Sequence, residues 1–347
     1  MNKFLFFFKR PKVVVVVGQG NKLAKEAIFQ VLKNYFKIGK EILIYGTDLK
    51  DIKDFKFLIK RSRLPILVVT QIGEYHPERE FFAGPIAEIS EIKKLAEVLP
   101  THSYLILNFD DETVRDLKSK TKAHSLTFGF GVRADLRATD IVLTPFPSAG
   151  TNFKINYQGK IVPVWLEKLF GKKHIYSALA VAVAGEVLDL NLVEISEALK
   201  NYQGLLGEMQ LLKGIKNSWI LDSSENTSSL SMLEDLEILR KLQAKRKIAV
   251  LGDILRIGKY TIEAHEAIGE RIKGSADLLF TVGSRAKFFA QGAISRGMSE
   301  DKIFQFDESG STGKALRSEI REGDLVLVDA SKEMKMSEII TEIKALK

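Results

Sequence analysis

Short apolar runs recur along the first half of the chain, with helically spaced apolar residues between them. Val13–Val17, Glu41–Tyr45, Ile66–Thr70, Tyr104–Asn108 and Ser125–Phe128 read as strands, while Lys22–Tyr35 and Ile86–Val98 read as helices. An uninterrupted run such as Val13–Val17 suits a strand covered on both faces. The alternation therefore predicts a mainly parallel sheet between two helix layers. From Asp135 to Val164 the pattern shortens and acquires turn residues, as in Asn156-Tyr-Gln-Gly159, which predicts a small antiparallel appendage. Helices follow at Ala178–Leu188 and Leu192–Lys200. A second alternating unit has strands at Ser218–Leu221, Lys247–Leu251, Leu278–Val282 and Leu325–Val328, the pattern of a smaller Rossmann-like domain. The expected organisation is α/β throughout, with domains at residues 1–207 and 208–347 and a hinge near residues 204–217.

Composition narrows the function classes. A chain of 347 residues with 45% hydrophobic content can bury the cores of two domains. It has no cysteine and five scattered histidines, which excludes disulfides and thiolate metal sites and suits a reducing cytoplasm. The formal charge of +8 is spread over lysines on helix faces, without a basic run interleaved with aromatics, so nucleic acid is not an expected partner. Phe4–Phe8, flanked by Lys3, Lys9, Arg10 and Lys12, is too short to span a bilayer. A packed edge segment is the expectation there, with membrane-surface contact as the alternative.

The chemistry concentrates first at Val13–Glu26, where a strand enters a glycine turn and then a helix. Gly18 and Gly20 allow backbone N–H groups to close around phosphate, Asn21 tolerates a left-handed conformation, and Lys22 supplies a cation. Leu23 and Ala24 follow the lysine, where magnesium chemistry calls for a hydroxyl, and neither hydrocarbon can ligate a hard cation. Asp253, after Gly252 at a strand end, is a second site candidate, although forming the turn would also explain it. Asp110 and Asp111 fit helix capping. His76 suits either a hydrogen-bonded loop position or a site.

Taken in order, the short motifs resemble the Mur ligase family, in the branch that adds D-alanyl-D-alanine to the peptidoglycan precursor. They are the Gly18–Glu26 loop, Thr70-Gln-Ile-Gly-Glu-Tyr-His76, Asn108-Phe-Asp-Asp111, Thr127-Phe-Gly129, Ala134–Ala138, Gly150–Phe153 and Gly171–Leu179. Gly207-Glu-Met209, Asp222–Met232, Val250-Leu-Gly-Asp253 with His265, and Ser331–Met336 continue the match. The resemblance implies a central ATP-binding domain over which a C-terminal domain closes, and an acyl phosphate attacked by an amine. It implies ATP and Mg²⁺ as cofactors, Lys22 on phosphates, His76 near a second metal position, and Asp222 and Asn226 facing nucleotide. Its expected partners are a muramyl-peptide precursor or other cell-wall enzymes. The family's separate UDP-sugar domain has no room before Val13.

This chain departs from the family where the chemistry would occur. The family's Lys-Thr is Lys22-Leu23 and its last loop glycine is Asn21. No residue in Asp48–Leu67 replaces the metal-binding glutamate, and Ile92, beside Lys93, stands where a carbamylated lysine is placed. The arginine before the family's methionine is Glu208, its late arginine motif reads Asp329-Ala-Ser-Lys332, and only Asp222 and Asn226 of a longer Asp/Asn motif persist. Gly310-Ser-Thr-Gly-Lys314 corresponds to a variable loop and is assigned no chemistry. The expectation is a peptidoglycan-precursor ligase fold with impaired or altered catalysis, and the alternative is a non-catalytic scaffold.

Overall fold

A computed structural model describes residues 10–47, 52–72, 74–76, 81–83, 86–146, 148–225, 227–255 and 257–345. Phe4–Phe8 and Asn226 lie outside the described residues. The chain forms two compact units that are discontinuous in sequence. The first comprises Met1–Val142, Asn152–Leu166 and Lys172–Tyr202, and the second Leu143–Thr151, Glu167–Gly171 and Gln203–Lys347.

The first unit is built on β1 (Lys12–Val17), β2 (Ile42–Thr47), β3 (Pro65–Val69), the small pair β4 (Glu74–His76) and β5 (Phe81–Ala83), β6 (Tyr104–Asn108), β7 (His124–Gly129), β8 (Leu136–Thr144), β9 (Gly150–Tyr157) and β10 (Lys160–Glu167). Its eight-stranded sheet runs β2-β1-β3-β6-β7-β8-β9-β10. The pairs from β2 to β8 are parallel, with Val15 opposite both Tyr45 and Leu67. Val13 to Val17 are all fully buried, as a strand between two helix layers requires. Gln158 and Gly159 both have positive φ, 48° and 78°, the geometry of a two-residue hairpin turn, so β9 and β10 form the antiparallel appendage. Helices α1 (Asn21–Leu32), α2 (Ile52–Arg61), α3 (Ile86–Glu97), α4 (Glu112–Asp116), α5 (Lys172–Val187) and α6 (Leu192–Leu199) complete this part of the chain. The sequence pattern had not shown α2, whose apolar Phe55, Leu58 and Ile59 reach the core.

After β1 the chain passes to β2 on one side and then to β3 on the other, so strand order reverses between β1 and β3. A crevice outside the carboxyl ends of the strands forms at such a reversal, which is where ligands bind in open α/β sheets. Gly18 and Thr70 follow the two strands that flank it.

The second unit contains β11 (Gln210–Lys213), β12 (Trp219–Ser223), β13 (Arg246–Gly252), β14 (Leu278–Val282), β15 (Ile303–Phe306) and β16 (Asp324–Asp329), ordered β11-β12-β16-β13-β14-β15. All pairs are parallel except β11 with β12. Helices α7 (Ser229–Lys241), α8 (Thr261–Ile272), α9 (Lys287–Ser295), α10 (Ser309–Glu319) and α11 (Ser337–Ile343) cover it. One core packs Leu221, Leu251, Leu327 and Phe289 together with Ala149 and Phe170. The opposite face buries Ile220, Val250, Val328 and Phe280 against Leu316 and Ile339.

Two expectations are corrected here. Residues 210–213, placed in a hinge, form an edge strand paired with Trp219–Asp222. Gly310–Lys314, assigned to a loop, lies inside α10. The glycine-rich start is accommodated because a side chain at Gly313 would come within 3.2 Å of Glu342, so the small residue lets α10 and α11 approach.

Candidate functional site

In the first unit, β1 ends in a glycine turn held by short-range bonds. Gly18 and Gly20 have φ of 96° and 74°, and Gly20 occupies the N-cap of α1 without a side-chain cap. A side chain at Gly18 would meet the Gln71 carbonyl oxygen at 2.4 Å, so glycine is required there sterically as well as conformationally. Asn21 closes the turn by donating from Nδ2 to the Gly18 carbonyl at 2.7 Å. Thr70 Oγ1 lies 3.0 Å from the Val17 carbonyl and donates at 2.6 Å to that of Gln19, tying β3 to the turn. The first intrahelical bond runs from Ala24 N to Gly20 O, which leaves the Lys22 and Leu23 N–H groups in the uncapped first turn. Lys22 is exposed beside them. This arrangement can bind an anion, because uncapped N–H groups lie at a helix N-terminus and an exposed lysine is in the same turn.

Leu23 and Ala24 point the other way. They are 2% and 1% exposed and belong to the interior of the first unit. The two neighbouring carboxylates are also committed to the fold. Asp111 caps α4 through Val114 N at 3.0 Å and accepts from Ile72 N at 2.8 Å with its other oxygen. Asp110 accepts from Phe130 N at 2.6 Å, Gly131 N at 2.9 Å and the Tyr176 hydroxyl at 3.0 Å, pinning the β7–β8 connection to α5. Sequence reasoning had missed Tyr176. Its ring packs edge-on to Phe130, at 4.7 Å between centroids, a role that the Gly171–Leu179 motif spanning it does not specify. His76 ends β4 opposite Phe81, and its side chain lies outside the described residues.

In the second unit, Asp222 lies near the carboxyl end of β12 and is 4% exposed. Its Oδ1 accepts from Ser224 Oγ at 2.7 Å and Ser224 N at 3.2 Å. Burial pushes its carboxyl above the usual range, opposed by bonds from Ser224 and the Gly207 backbone. A side chain at Gly207 would collide with that of Glu225, and Glu225 is in turn ion-paired with Lys332. Asp253 serves as an acceptor in the turn before α9, with Oδ1 receiving Arg285 N at 3.0 Å and Ala286 N at 2.7 Å. Gly283 lies against that carboxylate.

His265 supports the segment that follows Asp253. Its Nε2 accepts from Ile254 N at 3.1 Å, which leaves Nδ1 to donate to the Thr261 carbonyl at 2.6 Å. Burial lowers its pKa below the usual histidine value, so the neutral tautomer fits both bonds. Of the residues chosen from the sequence, Gly18, Gly20, Asn21 and Lys22 come together in one turn. Asp222 and Asp253 terminate different strands of the second sheet, and Asn226 is outside the described residues.

The residues present fit a nucleotide phosphate better than they fit a metal ion. Gly18, Gly20, Asn21 and Lys22 would hold the phosphate. The position that should present a hydroxyl to Mg²⁺ is a buried hydrocarbon, and both adjacent carboxylates are occupied by backbone N–H groups. Among the described residues, no three His, Asp or Glu side chains form a metal-binding group.

Comparison with known proteins matches residues 27–185 to the Mur ligase middle domain and residues 209–332 to the glutamate ligase domain of Mur ligases. The chain is 25% identical to a UDP-N-acetylmuramoyl-tripeptide–D-alanyl-D-alanine ligase of Bacillus subtilis, over 96% of this chain and 76% of that protein. A UDP-N-acetylmuramate–L-alanine ligase of Alkaliphilus metalliredigens is 24% identical over 69% of this chain and 53% of its own length. Among solved structures, MurF from Acinetobacter baumannii superposes with a TM-score of 0.78 at 18% identity, covering 98% of this chain and 78% of that one. MurF ligase from Thermotoga maritima in complex with ADP gives 0.75 at 17% identity, covering 98% and 81%.

Proposed function

This chain belongs to the Mur ligase family, and from that premise we propose that it keeps the nucleotide-binding frame of a peptidoglycan-precursor ligase while its amide-forming chemistry is impaired or altered. The family reaction activates a carboxylate with ATP and delivers it to an amine. Phosphoryl transfer of this kind depends on positioning and on neutralising charge, so losing cationic and metal-binding groups acts directly on the rate.

The observation that carries the proposal is the opposite fate of adjacent residues at the start of α1. Lys22 is exposed at the turn, whereas Leu23 is packed into the core. In this reading the glycine turn and Lys22 bind and orient phosphate, Asn21 keeps the turn closed, and Asp110 with Tyr176 fixes the neighbouring connection. Glu208 replaces a family cation with an anion, and Lys332 is already paired with Glu225. A charge-assisted hydrogen bond contributes about 1.5–3 kcal/mol, so these changes weaken stabilisation of a transferring phosphoryl group. No step through Mg²⁺ is assigned, because the described donors do not fit it.

The test is turnover and binding in parallel. ATP should bind the purified chain, with Lys22→Ala weakening it about tenfold or more, while ADP release with muramyl-peptide and D-alanyl-D-alanine substrates stays far below that of an active ligase. Ordinary Mg²⁺-dependent turnover would refute impairment. A scaffold role is the second reading, favoured by the structural commitment of Asp110 and Asp111. It expects stable co-purification with an active cell-wall ligase, independent of ATP.

A further inference from the structure

At the amino-terminal end of the second unit's strands lies a groove of about 740 Å³, within the size range of small-molecule sites. It is far from the glycine turn in sequence, and within its own unit it faces away from the strand ends that carry Asp222, Asp253 and Lys332. Seven-residue β13 separates the two ends by roughly 20 Å. Four cations, Arg240, Arg271, Lys273 and Arg296, and two anions, Glu237 and Glu270, line it together with leucines of α7.

The anions are already satisfied. Arg240 grips Glu237 through Nε at 2.7 Å and Nη2 at 2.6 Å, holding its carboxyl down to about 2. Arg296 donates Nε and Nη2 to one oxygen of Glu270 at 3.0 and 2.6 Å. Arg271 and Lys273 have no acidic partner among the described residues, and both are exposed. Basic residues at helix C-termini commonly offset the helix dipole, and that accounts for Arg240, Arg271 and Arg296 singly. Three such ends together carry roughly −1.5 elementary charges against a side-chain excess of two positive, so what they leave is concentrated on Arg271 and Lys273, in the last turn and at the C-cap of α8.

We infer that this groove is a second anion site, taking a small molecule that bears a phosphate or diphosphate group. Arg271 offers planar paired donors to phosphate oxygens and Lys273 a point charge. Placed at the opposite end of the sheet from the candidate chemistry, it suits an effector rather than a substrate.

Calorimetric titration of the whole chain with inorganic pyrophosphate at low ionic strength tests this, using Lys22→Ala to weaken the contribution of the glycine turn. The expected result is one saturable site that survives Lys22→Ala and weakens at least tenfold in the Arg271→Ala, Lys273→Ala double variant. The unliganded thermal unfolding midpoint of that variant should fall only slightly, by the dipole contribution of Arg271, since neither side chain has an acidic partner among the described residues. If it melts early, Lys273→Gln alone is read, with severalfold weakening expected. Absence of saturable binding, binding abolished by Lys22→Ala, or full affinity in the double variant would each overturn the inference. So would an oligoglutamate peptide that occupies the same residues and resists displacement by pyrophosphate.

Discussion

Leu23 sits on the inward face of α1, and its burial governs what a restored hydroxyl would do. Leu23→Thr removes apolar volume and buries an oxygen, so it should destabilise the chain by about 2–4 kcal/mol, measured by urea unfolding. His265 gives a second expectation at this scale. Its folded pKa is lowered and its unfolded value is the ordinary one near 6.5, so its contribution is fully present above pH 6.5. That contribution is lost as pH falls from 6.5 through the folded pKa, because protonating Nε2 removes the acceptor for Ile254 N. Unfolding midpoints at pH 7.5 and 5.0 should therefore differ, and His265→Gln should reduce the difference. Asp222 acts in the opposite sense. Its raised folded pKa makes its contribution greatest below the ordinary carboxylate value and smaller as pH rises through the folded value. Asp222→Asn should accordingly leave stability at pH 7 equal or improved.

At the scale of elements, two glycines set how closely α8 and α9 cross. A side chain at Gly269 would lie 2.3 Å from the Phe289 carbonyl oxygen, and one at Gly292 would lie 2.2 Å from that of Glu266. Alanine gains about 1 kcal/mol of helix propensity over glycine, but here it must separate two backbones. Gly269→Ala and Gly292→Ala should each lower stability by about 1–3 kcal/mol, read from thermal unfolding and distinguishable from the gain expected at an exposed glycine. Sequence pattern alone would mark these glycines only as weak points in two helices. The strands were legible because Val13–Val17 and its counterparts are continuous apolar runs with one structural solution. Helix α2 was not, because charged residues alternate with Phe55, Phe57 and Leu58 and mask its buried stripe. Gly310–Lys314 was misread because Gly313 serves the close approach of α10 to α11, a contact between segments distant in sequence.

At the scale of the whole molecule, the α/β class and the two sheets followed from alternation, while the discontinuous makeup of the units did not. Ala149 and Phe170 join the second unit's core although they lie within stretches read as part of the first, because contact rather than chain order decides membership. The candidate site was legible in the same partial way. The glycine turn announced itself by residue type, whereas the commitment of Asp110, Asp111 and Asp253 to backbone N–H groups depends on where distant loops arrive. On the proposed reading, phosphate recognition survives at the glycine turn although the described donors there do not fit Mg²⁺. Calorimetric titration of the native chain with ATP, with and without Mg²⁺, tests it most directly, using folded Leu23→Thr as comparison. Saturable binding that Lys22→Ala weakens, and that Mg²⁺ leaves nearly unchanged in the native chain, is the expected result. Tight binding that requires Mg²⁺ in the native chain would contradict it.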